Sequence, residues 1–239
     1  MKTAVLLSGE TRTFTECFAS QRWHVYRKLE NPTFFASVVD DEQARDIYLL
    51  ESMGFPVFVE RVKQPTLPEP PVFLSRHAPY AISVPVQAIL RQLWHLNRVW
   101  EFHAEKAQEF DAYVRVRPDS FFHSCEIPEM VDMPNEHRGA LLPWWGRFGG
   151  CNDRLAFLEQ DSAEAYFTTF ARIGELLDSG CPLHPESLIA ASLGSAGMIV
   201  GNTLEANFST MKRERDGSLV SRPPEILPHE QAEFFAALS

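Results

Sequence analysis

Apolar and polar positions along this chain repeat with two periods, one that suits strands and one that suits helices. Residues 3–7, Thr3-Ala4-Val5-Leu6-Leu7, form a short continuous apolar run of the kind a strand covered on both faces uses. A polar loop, Ser8-Gly9-Glu10-Thr11-Arg12-Thr13, follows. A helix is expected to start at Thr13 or Thr15, with Phe18, Trp23, Val25, Tyr26 and Leu29 on its apolar face. Residues 34–39 and 57–62 repeat the strand signature. Between them Asp41 is placed to cap a helix that turns Ala44, Ile47, Tyr48 and Met53 inward and stops at Gly54. Strands alternating with helices predict an α/β fold, Rossmann-like, with a mostly parallel central sheet and helices on both faces.

A proline-rich passage, residues 64–85, reads as a long surface loop near the site, because the sheet is not yet complete. Pro85 suits the first turn of a long helix. The core stripe of that helix is Val86, Ile89, Leu90, Leu93, Leu96, Trp100, Ala104 and Ala107. Gln87, Arg91, Gln92 and Asn97 fall off the stripe, and His95 and His103 read as surface or packing histidines.

The strand that follows carries the chemistry. In Asp111-Ala112-Tyr113-Val114-Arg115-Val116-Arg117-Pro118-Asp119 the polarity alternates, and Pro118 ends the strand because it cannot donate to a ladder. Arg115, Arg117 and Asp119 are thereby gathered at a carboxyl end, where ligands sit in open α/β sheets. Two guanidiniums and a carboxylate suit an anion, a metal or both, and a plain Arg–Asp ion pair is the alternative. Residues 120–138 read as an irregular acidic loop. Short strands are expected at 140–142 and 155–158. Between them Trp144 and Trp145 offer either faces for a sugar ring or closure of a core edge.

A helix capped near Asp161 carries Phe167, Phe170, Ile173 and Leu177 and ends at Gly180. Pro185-Glu186 opens another, where Glu186 complements the helix dipole. After a strand at 198–200, residues 207–213 and 219–220 flank Asp216-Gly217. That is a hairpin signal and predicts a small antiparallel β extension. The tail, 221–239, is polar and expected to end in a short helix.

Composition narrows the function classes. The chain has 239 residues, of which eighteen are Phe and five are Trp, enough to fill a sizeable core. A formal net charge of −10 argues against nucleic-acid partners and anionic membranes, while leaving room for a local basic pocket. The four cysteines form no CxxC pair and read as reduced thiols in a cytoplasmic protein. The apolar run at the amino terminus stops at Ser8, too short for a signal-peptide core. No later run approaches the roughly 20 apolar residues of an integral membrane segment.

Five blocks then stand in order. They are the SGxxRTF loop Ser8–Phe14, the long helix running into the RxRPD strand Arg115–Asp119, Asn152-Asp153 before an apolar strand, Pro185-Glu186 opening a late helix, and a basic strand before the Asp216-Gly217 turn. In these the chain resembles GT-A-type glycosyltransferases, the small bacterial and viral polysaccharide-type members. The resemblance implies a single GT-A domain over 1–239, with 1–122 as the nucleotide-binding half and 123–239 as the acceptor half. It implies transfer of a sugar from a nucleotide-sugar donor to a glycan or other hydroxyl acceptor. Ser8, Gly9, Arg12 and Thr13 would line the nucleotide side, and Arg115 and Arg117 would bind the donor, Arg117 facing its diphosphate.

Asp119 would take the last position of a DxD motif and bind Mg²⁺ or Mn²⁺ or a sugar hydroxyl. Here that motif reads Arg117-Pro118-Asp119, with a single acid. Either phosphate and water complete a metal's shell, or Arg117 neutralises the charge in its place. Trp144 and Trp145 would bind the acceptor. Inversion requires a base on the acceptor hydroxyl, and Asp153, ahead of Glu186, is the candidate. The missing second acid favours one rival, an inactive domain that binds sugar nucleotides or glycans. A second rival, a nucleotidyltransferase, is disfavoured by a first loop without lysine. The transferase reading requires Arg12 and Asp119 to face one cavity.

Overall fold

The structure, a computed structural model, describes residues 1–71, 84–127, 139–214 and 216–223. Strands β1 (Thr3–Gly9), β2 (Pro32–Val39), β3 (Val57–Val62) and β4 (Ala112–Val116) lie parallel, β1 pairing with both β2 and β4. Next come β5 (Ser120–Cys125), β6 (Gly139–Pro143), β7 (Leu155–Leu158), β8 (Ile199–Leu204), β9 (Ala206–Arg213) and β10 (Leu219–Arg222). Seven strands form one sheet in the order β3-β2-β1-β4-β7-β6-β8, and β10-β9-β5 form a small antiparallel sheet. Within the large sheet β7 alone runs against its neighbours, so the carboxyl ends of the other six strands share one edge.

β1 is apolar from Ala4 to Leu7 because both its faces are covered. Ala4 and Leu6 share a core with Ile89, Leu93 and Leu96 of the long helix α2 (Val86–Ala104). Val5 and Leu7 share the opposite core with Phe14 and Phe18 of α1 (Phe14–His24). Helices α3 (Gln160–Phe167), α4 (Ile173–Asp178) and α5 (Pro185–Ser195) cover the α2 face. The expected architecture is therefore what forms, a mostly parallel α/β sheet with helices on both faces and an antiparallel extension.

Several local expectations are corrected. The segment Glu42–Met53 begins and ends as expected, with the Asp41 carboxylate accepting from the Gln43 N–H at 3.0 Å and Gly54 left-handed at φ 76°. It is wound, however, as a 3-10 helix. Three residues per turn put Ala44, Ile47 and Leu50 inward and turn Tyr48 out. α1 buries Phe14, Cys17, Phe18 and Gln21, while Trp23 is 60% exposed under the Arg27 guanidinium. On α2 the inward stripe runs through Val99 and Phe102, not Ala104 and Ala107, and it takes in both His95 and His103. Residues 120–125, expected as loop, form β5, whose partner β9 lies far along the chain. The helix after Asp161 is interrupted by a 3-10 stretch, Thr168–Arg172. Most of the proline-rich passage and the final helix lie outside the described residues.

Candidate functional site

The turn after β4 sets the geometry of the site. Ser120 N–H donates to the Arg117 carbonyl at 3.2 Å, and Arg117 N–H donates to the Arg154 carbonyl at 2.9 Å. Gln21, wholly buried in α1, shares its amide N–H groups among the carbonyls of Arg117 (3.1 Å), Pro118 (3.0 Å) and Ser120 (2.9 Å). Its own oxygen accepts from Tyr26 Oη at 2.6 Å. This turn aims the Arg117 guanidinium at two acids. Nε and Nη2 form a fork on Asp119 at 3.0 and 2.8 Å, and Nη1 reaches Asp153 Oδ2 at 2.9 Å. Burial alone would lower the pKa of Arg117, but Asp119 and Asp153 outweigh it and hold the group above the usual arginine range.

Asp153 lies behind this pair, 2% exposed. It accepts from Gln92 Nε2 of α2 and has Arg154 at 3.8 Å. Burial would raise its pKa, but Arg117 and Arg154 prevail and hold it low. Glu186 is the opposite case. Burial, with Asp153 close by, pushes its carboxyl up to about 8, and His184 Nδ1 lies 3.3 Å from it. The start of α5 is pinned there. Cys151 N–H donates to the Glu186 carbonyl at 3.0 Å, and a Cβ on Gly150 would overlap that same carbonyl.

A cavity of about 430 Å³ opens at the carboxyl edge of β1 and β4. One side is built from Ser8, Gly9, Glu10, Arg12 and Thr13, together with Thr210 to Arg213 of β9 and Arg222 of β10. Gly9 has φ 101°, the left-handed turn that lets the chain leave β1. Thr13 Oγ1 donates to the Met211 carbonyl at 3.2 Å, and Met211 N–H donates to the Asp119 carbonyl at 2.8 Å. β9 thus ties the first loop to the acidic corner. The other side is Gln64 with Ala88, Arg91, Gln92 and His95 of α2. Arg115, Arg117, Pro118 and Asp119 lie between the two sides.

Seven of the nine candidate donor and base residues therefore meet at one cavity: Ser8, Gly9, Arg12, Thr13, Arg115, Arg117 and Asp119. Asp153 and Glu186 do not line it. Trp144 and Trp145 do not line it either. Trp145 is buried, its indole N–H donating to the Ala206 carbonyl at 2.7 Å and its ring packed on Phe208, so it has no face to offer an acceptor. Trp144 is half-buried against the same core. Sequence reasoning missed Gln64, Gln92, His95, Lys212 and Arg222. Off-stripe Arg91 and Gln92 were a signal, because polar groups on a core helix near a strand end need a reason. The hairpin was marked as a basic strand before the Asp216-Gly217 turn, but only the β5–β9 pairing brings Lys212 and Arg222 here.

The lining is cationic. Arg12, Arg91, Arg115, Arg117, Lys212, Arg213 and Arg222 stand against Glu10 and Asp119. Both oxygens of Asp119 are engaged by Arg117, and no cluster of three metal-ligating side chains occurs among the described residues. This donor set suits oxyanions and does not suit Mg²⁺ or Mn²⁺ held through Asp119.

No family model matches the chain, and no curated protein matches its sequence. Among solved structures, mouse xyloside xylosyltransferase 1 in its apo form has a TM-score of 0.42 at 10% identity, covering 84% of each chain. An active-site mutant of LgtC has a TM-score of 0.46 at 8% identity, covering 79% of this chain and 69% of that one. The nucleoside-diphosphate-sugar pyrophosphorylase from Vibrio cholerae RC9 has a TM-score of 0.51 at 12% identity, covering 98% of this chain and 99% of that one. At that identity the likeness to the pyrophosphorylase, which runs the length of both chains, is a likeness of fold.

Proposed function

We propose that this chain is a glycosyltransferase that moves a sugar from a nucleoside-diphosphate donor to a glycan or other hydroxyl acceptor. One observation carries the reading: the Ser8–Gly9 loop, Arg12 and the Arg117–Asp119 corner share a single cation-lined cavity. Departure of a diphosphate places negative charge on oxygens that guanidinium forks match. Arg12, Lys212 and Arg213 now hold Glu10, Glu214 and Glu16 in exposed pairs, and such pairs exchange a carboxylate for a phosphate oxygen at little cost. Arg117, fixed by Asp119 and Asp153, is oriented before any substrate arrives.

Arginine takes the neutralising part in this reading. A dication on Asp119 would have to break the fork from Arg117 and sit among further cations, so no step is assigned to Mg²⁺ or Mn²⁺. Neither acid expected as a base is disposed to act as one. Asp153 is clamped between Arg117 and Arg154, and Glu186 holds its proton at neutral pH. Four free thiols, three of them buried, suit a cytoplasmic setting. No helix among the described residues is long and apolar enough to cross a membrane.

The whole-length fold likeness to a pyrophosphorylase favours a second reading, nucleotidyl transfer. Incubation with a panel of nucleotide sugars separates the two. The transferase releases nucleoside diphosphate, whereas the nucleotidyltransferase forms nucleoside triphosphate when pyrophosphate is added. Binding without either product would leave a non-catalytic binding domain. Asp119→Ala, which frees Arg117 from its fork, is expected to lower diphosphate release about 100-fold with the fold retained by circular dichroism. Full turnover in that variant removes Asp119 from the mechanism.

A further inference from the structure

Arg115 carries a buried charge that no carboxylate among the described residues contacts directly. It is 2% exposed, and on β4 it stands beside Leu6 of β1 and Ala156 of β7, on the sheet face that α2 covers. Its Nη1 makes only long bonds, 3.4 Å each to the carbonyls of Leu6 and Val116. Its Nε has no hydrogen-bond partner, and no carboxylate among the described residues lies within ion-pair distance. Burial pulls its pKa down to about 10, which still leaves the guanidinium charged at neutral pH. Asp153 and Asp119 act on it only from beyond contact distance, and a buried cation that no carboxylate contacts favours an anion that can reach it.

The neighbouring groups extend the pattern. His95 is 3% exposed, with Nε2 at 2.9 Å from Gln64 Oε1 and Nδ1 without a partner. Burial, then Arg115 and Arg91, lower its pKa to about 4, so the ring is neutral at physiological pH. With Nε2 donating to Gln64, Nδ1 is an acceptor suited to a hydroxyl. Arg91, one turn earlier on α2, spends Nε on the Pro65 carbonyl at 2.9 Å and meets no carboxylate among the described residues. Arg91 and His95 line the α2 side of the cavity, and Arg115 lies between that side and the hairpin side. On the hairpin side the described cations that line the cavity, Arg12, Lys212, Arg213 and Arg222, each have a carboxylate partner.

We propose that the α2 side of the cavity is a second anion subsite, distinct from the diphosphate position. It takes an acidic sugar, whose carboxylate or phosphate lies on Arg115 and Arg91 while a ring hydroxyl meets His95. That this sugar belongs to the donor or the acceptor rests on the transferase reading; that the subsite binds it does not.

The test is the melting midpoint of the full chain with D-glucose, D-glucuronate or glucose 6-phosphate, each alone and with saturating nucleoside diphosphate. An acidic sugar is expected to raise the midpoint by several degrees where glucose does not, and to do so with diphosphate present. A response to glucuronate alone assigns a carboxylate, and a response to the 6-phosphate alone assigns a phosphate. Arg91→Met, at a residue outside the donor set, should abolish the sugar-acid shift and keep the diphosphate shift. Arg115→Met should also abolish the sugar-acid shift, and should melt higher than the parent without ligand, having lost a buried charge that no carboxylate contacts. Equal shifts with glucose, or a sugar-acid shift that survives both substitutions, overturn the subsite. Failure of diphosphate to bind, with the sugar-acid shift intact, overturns the transferase reading alone.

Discussion

Charge is held in two ways around Arg117. Toward the hairpin, Arg12 and Glu10 are 57% and 40% exposed, and Arg213 and Glu16 are 42% and 27% exposed. Toward the interior, Asp153 is 2% exposed and Glu186 is 5% exposed, both walled by packed side chains. The chemistry is the same on both flanks, but the energetics are opposite. Water screens the outer pairs, so they are weak and exchangeable. The inner groups have left water behind, and each depends on its partner to remain there. The outer flank can therefore give up partners to a ligand, while the inner flank fixes where Arg117 stands.

The substitution that strikes the inner flank hardest is Asp153→Ala. It removes one of the two acids that hold Arg117, takes a partner from Gln92 and Arg154, and should lower the unfolding free energy by about 2–3 kcal/mol in denaturant titrations. A loss below about 1 kcal/mol would make the two flanks alike.

Glu186 sharpens the contrast through pH. Its folded pKa of about 8 lies above the ordinary carboxyl value, so the folded form keeps a proton that the unfolded form has released. The stability this gives is full below the ordinary carboxyl range and is lost as pH rises toward 8. Glu186→Gln should remove that decline, so the difference in melting midpoint between variant and parent should grow from pH 5 to pH 8. A constant difference would mean that Glu186 is ionised in the fold. Asp153, held low, has the opposite sense, its contribution being lost only in acid.

On the outer flank, Arg213→Ala should change stability by no more than about 0.5 kcal/mol. It should weaken nucleoside diphosphate binding roughly tenfold by calorimetry, through loss of one charge-assisted contact. A large stability loss there would erase the distinction.

What the sequence disclosed and what it hid follow the range of the interactions. The ends of β7 were legible because its apolar run is local and bounded by polar residues, and those of β3 because Pro56 precedes a β-branched stretch that ends at Lys63. The Asp41 cap and the Gly54 stop were legible for the same reason. Period misled where the winding changed: Ala44, Ile47 and Leu50 keep a spacing of three that resembles a fragment of α-helical pattern. Range misled where partners are remote. Nothing near Phe121 shows that residues 120–125 pair with β9, so neither β5 nor the basic wall behind it could be read locally. Trp145 looked like a sugar platform because composition alone does not reveal that Ala206 and Phe208 close over it. That Arg115, Arg117 and Asp119 gather at one corner was legible because the stretch is contiguous. That Arg115 turns toward α2 on the sheet face of Leu6 follows only from strand register.

The amide of Gln21 has a consequence for how the cleft receives its occupant. It belongs to the helix that follows the glycine loop, yet the carbonyls it grips belong to the turn bearing Arg117 and Asp119. Neither partner can shift alone without leaving dry, unmatched carbonyls, and β9 clips both through Met211. The mould is thus cast in advance. On the proposed reading, a phosphate would meet an Arg117 corner whose backbone is already set, and little of its binding energy would be spent on ordering that turn.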